Sequence, residues 1–188
     1  MSARTKLVLL DRDGVINVQP PNGEYVTSAN EWSAIPGSLE AIARLNRAGY
    51  RVVVATNQSG VGRGLFDVET LHQIHEKMHR QLVEYGGHID AIFYCPHHPD
   101  DGCSCRKPLP GMLHEAAERL HCSLAGVPYV GDSARDLEAA AAAGADPVLV
   151  ETGNGSQTLS DLTKAARTPP SVYADLAGMV DAFLSPTP

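Results

Sequence analysis

The sequence predicts an α/β fold: a central parallel sheet with helices on both faces. Two observations predict it. Short apolar runs without polar alternation, such as Leu7-Val8-Leu9-Leu10 and Val52-Val53-Val54, read as strands buried on both sides. These runs alternate with segments that carry helix start and stop signals, the order expected of βαβ units. The 188 residues suit one domain, and 43% hydrophobic residues suffice for a core.

Residues 6–10 form the first expected strand. A helix over 38–48 follows the start signal Pro36-Gly37-Ser38 and stops at Gly49. Residues 51–55 read as the second strand. Residues 67–85 read as a long helix capped by Asp67 and ended by Gly86-Gly87. A strand over 91–94, a helix over 111–121 and a short strand over 128–130 follow. An alanine-rich helix over 135–143 ends at Gly144, and 147–150 is a fifth strand. Residues 153–170 read as a polar connection, 172–184 as a closing helix and 185–188 as a frayed tail.

Composition narrows the function classes. Fifteen Lys and Arg against 22 Asp and Glu leave a net charge of −7, which argues against nucleic acid or an anionic membrane as partner. No stretch approaches the ~18 apolar residues of a membrane span, and residues 1–6 lack the apolar region of a signal peptide. The expectation is a cytoplasmic monomer acting on a small molecule. An anionic substrate stays possible, because local charge decides that.

Ligands bind beyond the carboxyl ends of the strands in such sheets, and the polar clusters fall there in succession. Asp11-Arg12-Asp13-Gly14 follows the first strand, Thr56-Asn57-Gln58-Ser59-Gly60 the second, Arg106-Lys107 the third and Gly131-Asp132 the fourth. Asp11 and Asp13, two residues apart on extended chain, point the same way. Alone they could be a solvated turn. A close pair of carboxylates otherwise calls for a cation or a shared proton. With Thr56 as hydroxyl donor, Lys107 as positive charge and Asp132 completing a Mg²⁺ site, the set suits phosphoryl transfer.

Asp11-x-Asp13-Gly14, the strand-terminal Thr56, Lys107-Pro108 and Gly131-Asp132-x-x-x-Asp136 resemble the four ordered motifs of the haloacid-dehalogenase (HAD) superfamily of phosphatases, over residues 6 to about 150. The resemblance implies a Rossmann-like three-layer sandwich and an aspartyl-phosphate on Asp11, with Asp13 as acid and base. It implies Mg²⁺ held by the Asp11 carboxylate, the Asp13 carbonyl and Asp132. Thr56 and Lys107 would steady the transferring group, and Asp136 would orient its neighbours. Asp11 would stay ionised, whereas Asp13 would begin protonated with its side chain turned from the metal. Only 42 residues separate Asp13 from Thr56, so no large cap domain fits.

Cys95-x-His97-x₅-Cys103-x-Cys105 places three thiols and an imidazole within eleven residues of a loop poor in apolar groups. A structural, four-ligand Zn²⁺ would order it, with His98 as rival to His97. Cys122 reads as a small buried hydrophobe. His75-Glu76-Lys77-Met78-His79 matches the zinc-protease pattern H-E-x-x-H. Leu71, Ile74, Met78 and Leu82 form the apolar stripe of that helix, which puts His72, His75 and His79 on a wetted face, and the match reads as coincidence.

The zinc loop resembles two related branches of the superfamily, the heptose-bisphosphate phosphatases and the histidinol-phosphate phosphatases. Residues 56–64, 94–99 and 105–112 look like the first, which serves lipopolysaccharide precursor synthesis. The short stretch between His97 and Cys103 also fits the second. By resemblance Arg106 would recognise the distal part of the substrate, with Arg12, Asn57, Gln58, Ser59 and Ser133 as further substrate-binding residues. The zinc loop and residues 19–26 would shape the entrance; Arg63 and Arg135 are unassigned. A non-enzymatic zinc-loop interaction module is the expectation of a different class.

Overall fold

The computed structural model describes residues 6–20 and 25–185. Six strands form one parallel sheet: β1 (Leu7–Leu10), β2 (Arg51–Asn57), β3 (Ala91–Cys95), β4 (Pro128–Gly131), β5 (Asp146–Val150) and β6 (Ser171–Tyr173), in the order β3-β2-β1-β4-β5-β6. Six α-helices cover it: α1 (Ser38–Arg47), α2 (Val68–Glu84), α3 (Gly111–Leu120), α4 (Ala134–Ala143), α5 (Gly155–Lys164) and α6 (Leu176–Leu184).

The three layers follow from the two-residue period of the strands. Val8, Leu10, Val52 and Val54 face α1, α2 and α6 in one buried cluster with Ile42, Ile74, Met78 and Val180. Leu7, Leu9, Val53 and Ala55 face the other way, onto Leu113 and Ala116 of α3 and Ala139 and Ala140 of α4. β1 is buried on both sides, so a Leu9→Ala cavity would cost about 3 kcal/mol. Between β1 and α1, the chain buries Val15, Ile16 and Trp32. The Lys77 ammonium of α2 donates to the carbonyls of Ala29 and Trp32, each at 2.7 Å.

Two elements differ from expectation. The polar connection over 153–170 contains α5, whose Thr158 and Leu162 are buried, and the closing helix divides. Residues 171–173 pair with β5 as β6, and α6 begins only after Asp175, whose side chain accepts from the Gly178 N–H. β6 is three residues on the sheet edge, too short to show a period, and a single buried leucine on α5 leaves little pattern to read. The expected tail falls largely outside the described residues, as do residues 21–24 of the expected entrance segment.

The topology sets the site. The connections reverse direction between β1 and β4, so a crevice opens where their carboxyl ends diverge. The Asp11 N–H still pairs with the Val130 carbonyl at 2.9 Å, placing Asp11 one residue past β1 and beside Gly131-Asp132.

Candidate active site

A cleft of about 170 Å³ opens at that reversal. Asp11, Asp13, Thr56, Asn57, Ser59, Arg106, Lys107, Asp132 and Ser133 line it, together with Gln19, Tyr25, Arg135 and Asp136. Its volume is below the ~300–1,000 Å³ of pockets that enclose a drug-sized ligand, which suits it to one end of a substrate.

Lys107 organises the floor. Its ammonium lies 2.9 Å from Asp11 Oδ1, 2.6 Å from Asp136 Oδ1, 2.9 Å from the Tyr129 hydroxyl and 3.1 Å from the Ala55 carbonyl. Burial would strip such a group of its proton, but the charges of Asp11 and Asp136 outweigh it and hold its pKa well above the ordinary lysine value. Asp136 caps its own helix by accepting from the Ser133 N–H at 3.0 Å and its hydroxyl at 2.6 Å. Asn57 clamps the Lys107 backbone, donating to its carbonyl and accepting from its N–H, both at 3.1 Å. Thr56, 1% exposed, accepts from the Gln58 amide at 3.0 Å.

The acidic side is under-compensated. Carboxylate oxygens of Asp11, Asp132 and Asp136 lie within 4.8 Å of one another. Burial, with the charges of Asp136 and Asp13 adding to it against Lys107, pushes Asp11 up to about 6. Burial and repulsion from Asp11 and Asp136 push Asp132 to about 7. Asp132 Oδ2 accepts from the Asn154 N–H at 2.8 Å and its side-chain amide at 3.1 Å. Two glycines make room for it: a Cβ at Gly14 or Gly153, both at positive φ, would fall 2.1 or 2.2 Å from that oxygen. Buried hard oxygens that repel each other are a donor set fitted to Mg²⁺.

Asp13 is built differently. Its carboxylate accepts from Arg12 Nε and Nη2 at 3.2 and 2.9 Å, from Asn17 Nδ2 at 2.9 Å and from Gln58 Nε2 at 2.8 Å. Burial would raise its pKa, but Arg12, Asn17 and Gln58 outweigh it and hold it below the usual carboxylate value. The side chain is thus engaged by Arg12, Asn17 and Gln58, and these partners favour its ionised form in the free site.

Comparison with known proteins decides the family. The HAD-hydrolase-like (Hydrolase_like) family model matches residues 104–179. A D-glycero-β-D-manno-heptose-1,7-bisphosphate 7-phosphatase of Bordetella bronchiseptica is 57% identical over 95% of this chain and 98% of its own length, and one of Pseudomonas putida is 49% identical over 93% and 97%. This chain belongs to the heptose 1,7-bisphosphate 7-phosphatase family of HAD-like hydrolases. The crystal structure of the B. bronchiseptica D,D-heptose 1,7-bisphosphate phosphatase with magnesium and phosphate superposes with a TM-score of 0.90 at 56% identity, covering 96% of this chain and 98% of that one. The Burkholderia thailandensis D,D-heptose 1,7-bisphosphate phosphatase gives 0.74 at 50% identity, covering 97% and 100%.

Not every expected residue of this family member faces the cleft. Arg12 is fully buried and its guanidinium is committed to Asp13, Gln58 and His75. Gln58, 1% exposed, lies behind Thr56 and Asp13 rather than on the cleft wall. Arg106 does face it, and its Nη1 is a buried donor without a hydrogen-bond partner among the described residues. Ser59 Oγ lies 2.9 Å from the Tyr25 hydroxyl on the entrance segment.

The cysteine loop closes on itself. Cys95 Sγ lies 3.6 Å from Cys103 Sγ and 3.3 Å from Cys105 Sγ, and His97 Nδ1 lies 3.5 and 3.2 Å from Cys95 and Cys105. A tetrahedral zinc site with ~2.3 Å Zn–S bonds has sulfur–sulfur edges of about 3.8 Å, so the four groups fit such an ion. His98 is elsewhere: its Nδ1 accepts from the Asp100 N–H, capping the short 3₁₀ turn Pro99–Asp101. Cys122 is half-buried rather than buried.

Sequence reasoning missed Tyr129, Asn154 and His75. A tyrosine on a short apolar strand and an asparagine before an unrecognised helix carry no signal of their own. His75 is the instructive case: it is 7% exposed, not on a wetted face, and its Nε2 lies 3.2 Å from Arg12 Nη1. The H-E-x-x-H segment contributes to neither metal-ligand cluster found among the described residues.

Proposed function

We propose that this chain removes the 7-phosphate of D-glycero-β-D-manno-heptose 1,7-bisphosphate, leaving the heptose 1-phosphate for lipopolysaccharide precursor synthesis. The observation that carries this is the nearly end-to-end match to phosphatases of that name, 57% identical in the first case. The cleft agrees with it. Asp11, Lys107 and the acidic pair line it together with Arg106, whose planar fork is suited to a distal anionic group.

The chemistry divides between two aspartates. A carboxylate oxygen of Asp11 bonds to phosphorus as the bond from phosphorus to the sugar oxygen breaks. Lys107 and Thr56 stand beside the phosphoryl oxygens, where charge is concentrated in the transition state. The negative charge of a bound phosphate opposes the pull of Arg12 on Asp13 and favours its protonation. Asp13 then gives that proton to the departing sugar oxygen. In the second step water attacks phosphorus, its proton passes to Asp13 and the Asp11–phosphorus bond breaks. Asp11, Asp132 and the Asp13 carbonyl would hold Mg²⁺, which when bound supplies charge neutralisation at the phosphoryl oxygens. Zn²⁺ on Cys95, His97, Cys103 and Cys105 would shape the wall that carries Arg106.

The proposal includes a single domain over residues 1–188, acting as a cytoplasmic monomer. No helix among the described residues is long and apolar enough to cross a membrane. The test is kcat/KM for the β-heptose bisphosphate, its α anomer and histidinol phosphate in one Mg²⁺ buffer. The β anomer is expected to lead; higher kcat/KM for histidinol phosphate would overturn the assignment.

A further inference from the structure

His75 lies outside the cleft and enters none of the steps above, yet it reaches the machinery that holds Asp13. Arginine has five N–H donors and no acceptor. The 3.2 Å contact between Arg12 Nη1 and His75 Nε2 therefore requires that nitrogen to be the acceptor. The imidazole is neutral, with its proton on Nδ1. Arg12 is 0% exposed, and each edge of its guanidinium is used: Nε and Nη2 on Asp13, Nη2 also on Gln58, Nη1 on His75. Because the guanidinium is rigid and planar, a rotation that moves Nη1 also moves all three of its bonds to Asp13.

We propose that His75 is a positioning residue for phosphoryl transfer: by accepting from Arg12 Nη1 it fixes the guanidinium plane, and through it the direction of the Asp13 carboxylate. This rests on the assignment of Asp13 as acid and base made above. α2 supplies the rigidity. Leu71, Ile74 and Met78 are fully buried on the same helix, Lys77 ties it to the segment behind the site, and the Tyr94 ring stands edge-on to the imidazole with centroids 6.3 Å apart. Without an acceptor at this point, a buried charged donor would be left unpaired. It would swing toward the nearest carboxylate oxygens, and Asp13 would lose its aim at the leaving group.

A mispositioned acid harms substrates in proportion to their need for a proton. A sugar alkoxide needs one; 4-nitrophenolate does not. The experiment compares kcat/KM for the heptose bisphosphate and for aryl phosphates of graded leaving-group pKa in the full-length wild type, His75→Leu and His75→Gln. The quantity kcat/KM covers steps through transfer to Asp11 and is blind to the later hydrolysis. His75→Leu is expected to lose about ten- to a hundredfold on the sugar phosphate, part of the 10²–10⁴ available to a general acid. It should lose less than about threefold on 4-nitrophenyl phosphate, with a steeper dependence on leaving-group pKa across the series. His75→Gln, which can present an amide oxygen near the Nε2 position, should recover most of the loss. If His75→Leu does not fold, His75→Asn, whose shorter amide stops short of Arg12, replaces it. Equal losses on all substrates, or no loss, would overturn the positioning role. A wild type that hydrolyses no phosphate ester would instead overturn the function proposed above.

Discussion

Asp132→Asn should make the metal-free protein more stable while abolishing its activity. Asp132 is 2% exposed, and its carboxyl is pushed up to about 7 by burial and by the charges of Asp11 and Asp136. In an unfolded chain it titrates near pH 4. Its folded-state pKa is the higher one, so the folded state holds its proton more tightly. The stability linked to that proton is full below about pH 4 and is lost as the pH rises through about 7. Roughly three pKa units at 1.36 kcal/mol each make about 4 kcal/mol lost at pH 7.5, but only about 1.5 kcal/mol at pH 5. Asparagine carries no charge, yet its oxygen can still accept from the Asn154 N–H. Urea unfolding in EDTA, followed by fluorescence of Trp32, the single and fully buried tryptophan, measures both proteins at both pH values. The variant is expected to be the more stable by up to about 4 kcal/mol at pH 7.5, with the gap shrinking by more than half at pH 5. Mg²⁺ should raise the midpoint of the parent and not that of the variant. A variant less stable than its parent at pH 7.5, or a gap independent of pH, would refute the view that this cluster is a repulsive one awaiting a cation.

Three further outcomes are expected. Asp11→Asn should lower kcat by at least about a thousandfold, as the proposed nucleophilic role of Asp11 requires; phosphate release in a coupled assay checks this. Arg106→Met should raise KM for the bisphosphate about tenfold or more, the cost of losing a charged contact of ~1.4 kcal/mol, and leave a monophosphate lacking the distal group nearly unaffected. If zinc ligation orders the loop over 95–105, Cys95→Ser should reduce bound zinc below one ion per chain by elemental analysis and make that loop sensitive to protease.

Much of the fold could be read from sequence because buried parallel strands announce themselves. Leu7-Val8-Leu9-Leu10 and Val52-Val53-Val54 have no polar residue to interrupt them. The edge strand β6 and the polar helix α5 were not legible. Ser171–Tyr173 is three residues long, and α5 buries little beyond Thr158 and Leu162. In the cleft, Asp11, Asp13, Lys107 and Asp132 were legible because each falls in a polar cluster that follows one of the first four strands, at the same sheet edge. What lies behind them was not. Arg12 stands between two aspartates and reads as a substrate-binding residue, yet it is fully buried. Its partner His75 lies 63 residues away on a helix whose period places it beside the apolar stripe rather than in it. Pairings of that kind are made by the packing of α2 against the sheet, and no local pattern encodes them. The protonation of Asp13 was likewise out of reach, because Asn17 and Gln58 reach it only once the loops have folded.

The central claim, removal of the 7-phosphate by a nucleophilic aspartate, is tested most directly by ³¹P NMR of D-glycero-β-D-manno-heptose 1,7-bisphosphate incubated with the protein and Mg²⁺. The account predicts that the 7-phosphate signal gives way to inorganic phosphate while the anomeric 1-phosphate signal persists, and that Asp11→Asn leaves both unchanged. Loss of the 1-phosphate signal, or turnover that survives the Asp11 substitution, would contradict it.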